Sequence, residues 1–121
     1  MKILNLTQHQ ATPEQIAAGV VDVDPRGEAT VKSMLTFHSI PSREDMTARA
    51  NTLAAIAEES DCDAAMIGGA PYFMAPLERA LKDKGIQPLY AFSVRESVEE
   101  TQEDGSVIKR NVFKHAGFVA A

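Results

Sequence analysis

Apolar positions along the chain fall into alternating short runs and helical stripes, and the elements follow from their spacing. Ile3, Leu4 and Leu6 make Lys2 to Leu6 a first strand, which leaves through the polar Thr7-Gln8-His9-Gln10. Thr12-Pro13-Glu14-Gln15 is a capping box with proline at the first helical position, so a short helix continues through Ile16, Ala17 and Ala18 and ends at Gly19. Asp24-Pro25 offers a second cap, leading to a helix near Glu28 to Leu35 with Val31, Met34 and Leu35 on one face. Gly27 weakens that start by about 1 kcal/mol. Phe37 to Pro41 reads as a linker. Ser42 caps the clearest helix, with Glu44 and Asp45 in its first turn and Met46, Ala50, Leu53, Ile56 and Ala57 as a core-facing stripe through Glu59. Cys62 to Ile67 is short and mostly apolar, as in a strand buried on both faces. Leu77, Ala80 and Leu81 then mark a helix that ends with Lys82, Lys84 and Gly85. Its start is open: Pro71 suits a first turn, whereas Pro76 breaks a helix begun that early, so the helix begins near Ala75 or follows an irregular turn.

The last third of the chain reads as one long β-ribbon, about residues 93–118, based on the apolar Pro88 to Val94 run as a buried strand. Asp104-Gly105 suits a two-residue type I′ loop. Counting outward places Glu103 opposite Ser106, Thr101 opposite Ile108, Glu100 opposite Lys109 and Glu99 opposite Arg110. Glu96 to Asp104 holds five acidic residues and no basic one, while Ser106 to Phe118 holds Lys109, Arg110 and Lys114 and no acid. Opposed charges contribute roughly 0.2–1 kcal/mol per pair, so the blocks act as register control; a charged ligand groove is the alternative. An isolated ribbon is marginal in water, so its base must join a sheet.

Strand, helices, strand, helix, strand is a Rossmann-like order, and right-handed crossovers make the first three strands parallel. The expected fold is a small Rossmann-like α/β domain, with a mostly parallel sheet extended by the C-terminal antiparallel ribbon, occupying all of residues 1–121. Charged residues make up 24% and apolar ones 45%, the balance of a globular protein. A net charge of −5 gives no footprint for duplex nucleic acid, though it leaves room for a small anion in a local pocket. Cys62 is the only cysteine, which excludes a disulfide framework and fits a reducing cytosol, where a small buried thiol is the simplest role for it. No signal-peptide pattern opens the chain and no run approaches the roughly 20 apolar residues of a membrane helix, so a cytoplasmic protein is expected.

In open α/β sheets ligands bind outside the carboxyl ends of the strands. There the first strand delivers Thr7, Gln8 and His9, the second Gly68, Gly69 and Tyr72, and the third Ser93, Arg95 and Glu96. The glycine pair lets backbone approach a ligand, and the helix behind it offers unpaired N–H groups to phosphate; a plain tight turn is the alternative. His9 suits general acid–base work near neutral pH, or is a solvated loop histidine. Arg95 suits a bidentate phosphate clamp, or pairs with Glu96 or a ribbon neighbour. His38 and His115 have no acidic or thiol companions at ligand spacing, so no metal centre is expected.

The Tyr90-Ala-Phe-Ser-Val-Arg95 strand after a glycine turn and helix, the Glu-Asp-Gly-Ser-Val-Ile-Lys tip and the closing Val112-Phe-Lys-His-Ala-Gly-Phe118 together resemble small CRISPR-associated ring nucleases, whose Rossmann-like fold is related to cyclic-oligoadenylate sensor domains. The resemblance is best from Ala64 to Phe118, and Phe92 and Val94 depart from it where smaller polar residues often stand. It implies a homodimer that binds a cyclic oligonucleotide second messenger across its two-fold axis and cuts it without metal or other cofactor. The ribose 2′-hydroxyl attacks the adjacent phosphate, giving a 2′,3′-cyclic phosphate. On that basis Arg95 and the Gly69 turn amides hold phosphate, Ser93 and Thr7 position ribose, and His9 or Glu96 transfers the proton. A binding-only nucleotide sponge or sensor uses the same pocket, and a protein-interaction module uses the ribbon as its arm.

Overall fold

A computed structural model describes residues 1–121. Five strands form one sheet in the order β2-β1-β3-β4-β5, where β1 is Ile3–Leu6, β2 Val20–Asp22, β3 Ala64–Ile67, β4 Gln87–Thr101 and β5 Val107–Ala120. The first four are mutually parallel, and β5 returns antiparallel along β4. The α/β class, the parallel sheet and the ribbon as its extension are therefore as the sequence indicates. Four helices connect the strands: α1 (Pro13–Ala17), α2 (Pro25–Leu35), α3 (Arg43–Glu59) and α4 (Pro71–Asp83).

The two faces of the sheet are covered unequally. Leu4, Leu6, Ala65 and Ile67 point to the face where α2, α3 and α4 pack, and there they join Val31, Leu35, Leu53, Phe73, Leu77 and Leu81 in the main core. Small residues on the α3 stripe, Ala50, Ala54 and Ala57, let that helix sit close to its neighbours. The opposite face carries only Ile3, Val20, Ala64, Met66 and Leu89, with Ala11 and Phe118 packed against them. Its cover is the Thr7–Thr12 loop and not a long helix, since α1 buries no residue. No helix is long and apolar enough to cross a membrane.

Several boundaries differ from the sequence reading. β2 was not expected at all: it is three residues long, with only Val20 buried, too short for any periodicity to announce it. α2 begins at Pro25 and not near Glu28, because Asp24 accepts a hydrogen bond from the Arg26 N–H and caps the turn, overriding the Gly27 penalty. That bond also holds the Asp24 carboxyl below its usual range. α4 starts at Pro71 and runs through Pro76. A proline at that position forfeits one bond, to the Tyr72 carbonyl four residues back, in a residue exposed enough for water to replace it. The Pro88 to Val94 run is buried only at its start: Pro88 and Leu89 are covered, whereas Phe92 is 52% and Val94 38% exposed.

The ribbon turn is the clearest correction. Gly105 has φ +85°, but Asp104 is not in the left-handed region, so the loop is not type I′. The Gly105 N–H donates to the Gln102 carbonyl and the Gln102 N–H to the Ser106 carbonyl, which makes Glu103-Asp104-Gly105 a three-residue loop with glycine at the bulge position. Asp104 fixes it by accepting from the Ser106 N–H and hydroxyl at 2.9 and 2.6 Å, bonds that lower its carboxyl pKa. The register consequently slips by one from the expected pairing. Glu99 faces Lys109, Glu100 faces Ile108 and Thr101 faces Val107, while the Glu100–Arg110 ion pair is diagonal. A second irregularity lies between Phe92 and Ser93, where Ala116 is the extra residue on β5 and Gly117 takes φ +152°.

Candidate functional site

The parallel order places a topological switch point between β1 and β3, since the chain leaves β1 toward β2 on one side and returns to β3 on the other. A cavity of about 340 Å³ opens there. Thr7, Gln8, His9 and Gln10 form one wall, Gly68 and Gly69 the other, and Met66 and Ala91 the floor. Five of the nine candidate residues, Thr7, Gln8, His9, Gly68 and Gly69, thus meet around one crevice. A larger cavity of about 460 Å³ lies on the other side of the same Thr7–Gln10 loop, toward Asp22, Asp24 and Glu28.

The wall from β1 is held by a residue the sequence reading passed over. Asn5 is the one buried polar residue, 4% exposed in the middle of an apolar strand. Its amide nitrogen donates to the His9 carbonyl at 2.7 Å and to the Asp22 carboxylate at 2.8 Å. Its amide oxygen accepts from the Thr7 N–H and hydroxyl at 3.0 and 2.7 Å. Asp22 also accepts from the Ala11 N–H, so the loop is tied at both ends. All four hydrogen-bonding positions of the Asn5 amide are used, which fixes its orientation and the loop's. The missed signal was in the sequence: an asparagine at a core position of a four-residue strand needs partners, and only its own exit loop and the neighbouring strand can supply them. Gln8 adds a tie to α2 through the Thr36 hydroxyl at 2.9 Å. His9 is engaged only through its backbone, leaving the imidazole exposed at the crevice.

The opposite wall presents backbone. The N–H groups of Gly68, Gly69, Ala70 and Tyr72 donate to no group of the chain, and Pro71 has none to donate. The first bonded amide of α4 is that of Phe73, to the Ala70 carbonyl. Gly69 has φ +145°, a backbone that only glycine adopts without strain. Gly68 carries no such demand, and a methyl group added there meets only Thr7 Cγ2 at 3.7 Å. Gly68 and Gly69 line the crevice opposite the Thr7 hydroxyl and the exposed His9 imidazole, so two of these free donors belong to it, the composition of an anion site.

The remaining candidates lie elsewhere. Tyr72 stands in the first turn of α4, half exposed, with its ring edge-on to Phe37 at 5.4 Å. Ser93, Arg95 and Glu96 lie on the ribbon beyond Ala91, the β4 residue that lines the crevice. At about 3.3 Å per residue, Arg95 is roughly 13 Å further along the strand and Glu96 roughly 16 Å. Arg95 is paired with neither Glu96 nor another carboxylate; its guanidinium stacks 5.7 Å from the ring of Phe113, directly across the ribbon. Ser93 faces His115, whose ring packs against Phe118 and whose Nδ1 is buried without a partner. No group of three or more histidine, cysteine or carboxylate side chains is placed to hold a metal ion.

One family model matches residues 1–119 of the chain, that of the uncharacterized protein MJ1673 family. The chain belongs to that family. No curated protein and no solved structure matches it significantly. The match spans both walls of the crevice and the whole ribbon, so membership in the MJ1673 family attaches to the sheet, the switch-point loop and the hairpin together.

Proposed function

We propose that this MJ1673-family protein binds a cyclic oligonucleotide at the switch-point crevice and opens it by attack of a ribose 2′-hydroxyl on the adjacent phosphate, as in the ring nucleases its sequence resembles. The observation that carries this reading is the meeting of the unpaired Gly68 and Gly69 amides, the Thr7 hydroxyl and the free His9 imidazole around one cavity. Transesterification needs three things from a protein: alignment of the 2′-oxygen, phosphorus and leaving 5′-oxygen; stabilisation of charge on the phosphoryl oxygens; and a proton for the leaving group. The Gly68 and Gly69 amides are suited to the second, Thr7 to the first and His9 to the third. The 2′-oxygen loses its proton as the new P–O bond forms, the bond to the 5′-oxygen breaks and that oxygen takes a proton. The products are a linear chain ending in a 2′,3′-cyclic phosphate and a free 5′-hydroxyl.

Arg95 and Glu96 sit too far along their own ribbon to reach this crevice, so in this reading the ribbon of a second copy supplies them, making the active unit a homodimer. His9→Ala should lower turnover by about 10²–10⁴-fold with little change in binding, the usual contribution of a positioned proton donor. Gly68→Val, which fills the crevice mouth, should weaken binding instead. Unchanged turnover in His9→Ala, measured by chromatography of cleaved cyclic oligoadenylates, removes the assignment of the proton donor. Unchanged binding and turnover in both variants removes the crevice as the site.

A further inference from the structure

An apolar groove of about 570 Å³ opens beside the crevice, between the α2–α3 connection and the first turn of α4, lined by Phe37, Ile40, Met46 and Tyr72 with His38 and Ser39 at its edge. The sequence reads this connection as a bare linker, yet it builds a surface. Ile40 is 97% exposed and Tyr72 54% exposed, an uncommon outlay of apolar area beside a connection of which only Phe37 packs against the core. The aromatic floor is rigid. Phe37 meets Tyr72 and Phe73 edge-on, each at 5.4 Å, and Arg49 stacks 4.3 Å from the Phe37 ring. Arg49 is itself locked, donating to both oxygens of Asp45 and to the carbonyls of Ser33, Met34 and Thr36.

A backbone path and a hydrogen-bonded path join groove and crevice. Tyr72, whose ring lines the groove, stands three residues after Gly69 of the crevice wall. Gln8 of the other wall is hydrogen-bonded to Thr36, whose neighbour Phe37 is the groove floor. A ligand with an anionic group on the amides therefore has a flat apolar surface within the reach of one nucleotide. We infer that the groove is a nucleobase subsite, in which a base stacks on the exposed face of Tyr72 while Ile40 covers its other side, and Ser39 and His38 stand at the base edge. The inference rests on the phosphate assignment of the preceding section and adds to it the part of the ligand that the crevice does not hold.

Binding of adenosine 5′-monophosphate, ribose 5-phosphate and inorganic phosphate to the full chain, followed by NMR shifts, separates the two claims. The expected order is adenosine monophosphate tighter than ribose phosphate by about 5- to 100-fold, the range that base–aromatic stacking supplies, with shifts at Tyr72 and Phe37 for the base-bearing probe alone. Tyr72→Ala should abolish that difference without changing the phosphate affinity, and Tyr72→Phe should retain it. Equal affinity for all three probes, with shifts confined to the Gly68 and Gly69 amides, overturns the base subsite and leaves the phosphate assignment standing. Binding of none of them overturns both.

Discussion

At the scale of single residues, the crevice depends on Asn5. The side chain is buried, saturated with hydrogen bonds and attached to both ends of the loop that carries Thr7 and His9. Asn5→Leu keeps the branched shape but strands the Thr7 N–H and removes one of the two donors to the His9 carbonyl and to Asp22 Oδ1. A loss of about 1–3 kcal/mol in urea unfolding is expected, because stranded polar groups cost more than the bonds themselves. A variant as stable as the parent would mean that the loop is held by other contacts. Tyr90 gives a second residue-scale test. Burial, and then the hydrogen bond its hydroxyl donates to Glu78, raise its pKa from 10.0 to about 12. The phenol is thus harder to ionise folded than unfolded, so this stabilisation is complete below pH 10 and is lost as the pH rises toward 12. The chain has two tyrosines and no tryptophan, so alkaline absorbance titration should show a late-ionising step that Tyr90→Phe removes.

At the scale of elements, strong local chemistry was legible and degenerate patterns were not. The capping box at Thr12 and the cap at Ser42 fixed α1 and α3 because each uses one short sequence and satisfies identifiable N–H groups. The ribbon was visible for the same reason, but its register was not, since a block of acids facing a block of bases finds opposite charges in either of two adjacent registers. The Asp104 bonds to Ser106 decide between them. Gly105→Ala should therefore cost the hairpin about 1–2 kcal/mol through its left-handed backbone, read as loss of hydrogen-exchange protection at the Gln102 amide, while the paired amides of β1 and β3 keep theirs. Full protection at Gln102 would contradict the three-residue loop. β2 was illegible because three residues carry no period; what places it is the pairing of Asn5 with Asp22 across the ladder, a contact that exists only once the strands are parallel.

At the scale of the whole molecule, the switch point gathers the loop after β1 and the turn after β3, as the strand order implied, whereas the third strand's residues are carried away. The ribbon boundary near residue 93 already implied this, because β4 does not stop at the sheet edge: it continues to Thr101 as one arm of the ribbon and takes Ser93, Arg95 and Glu96 with it. If the ribbon of a second copy completes the crevice, His9→Ala and Arg95→Ala, each inactive alone, should regain about a quarter of parent activity when refolded together, because half the dimers then carry one intact site. No recovery would mean that the two residues do not combine across the dimer and would contradict completion of the crevice by a second copy. The most direct measurement is product analysis. The protein is incubated with cyclic di- to hexanucleotides in EDTA, and with the same rings bearing 2′-O-methyl riboses. Linear products ending in a 2′,3′-cyclic phosphate from the hydroxyl rings, and none from the methylated ones, are expected. Intact rings throughout, or cleavage of the methylated rings, would contradict attack by the 2′-hydroxyl at this crevice.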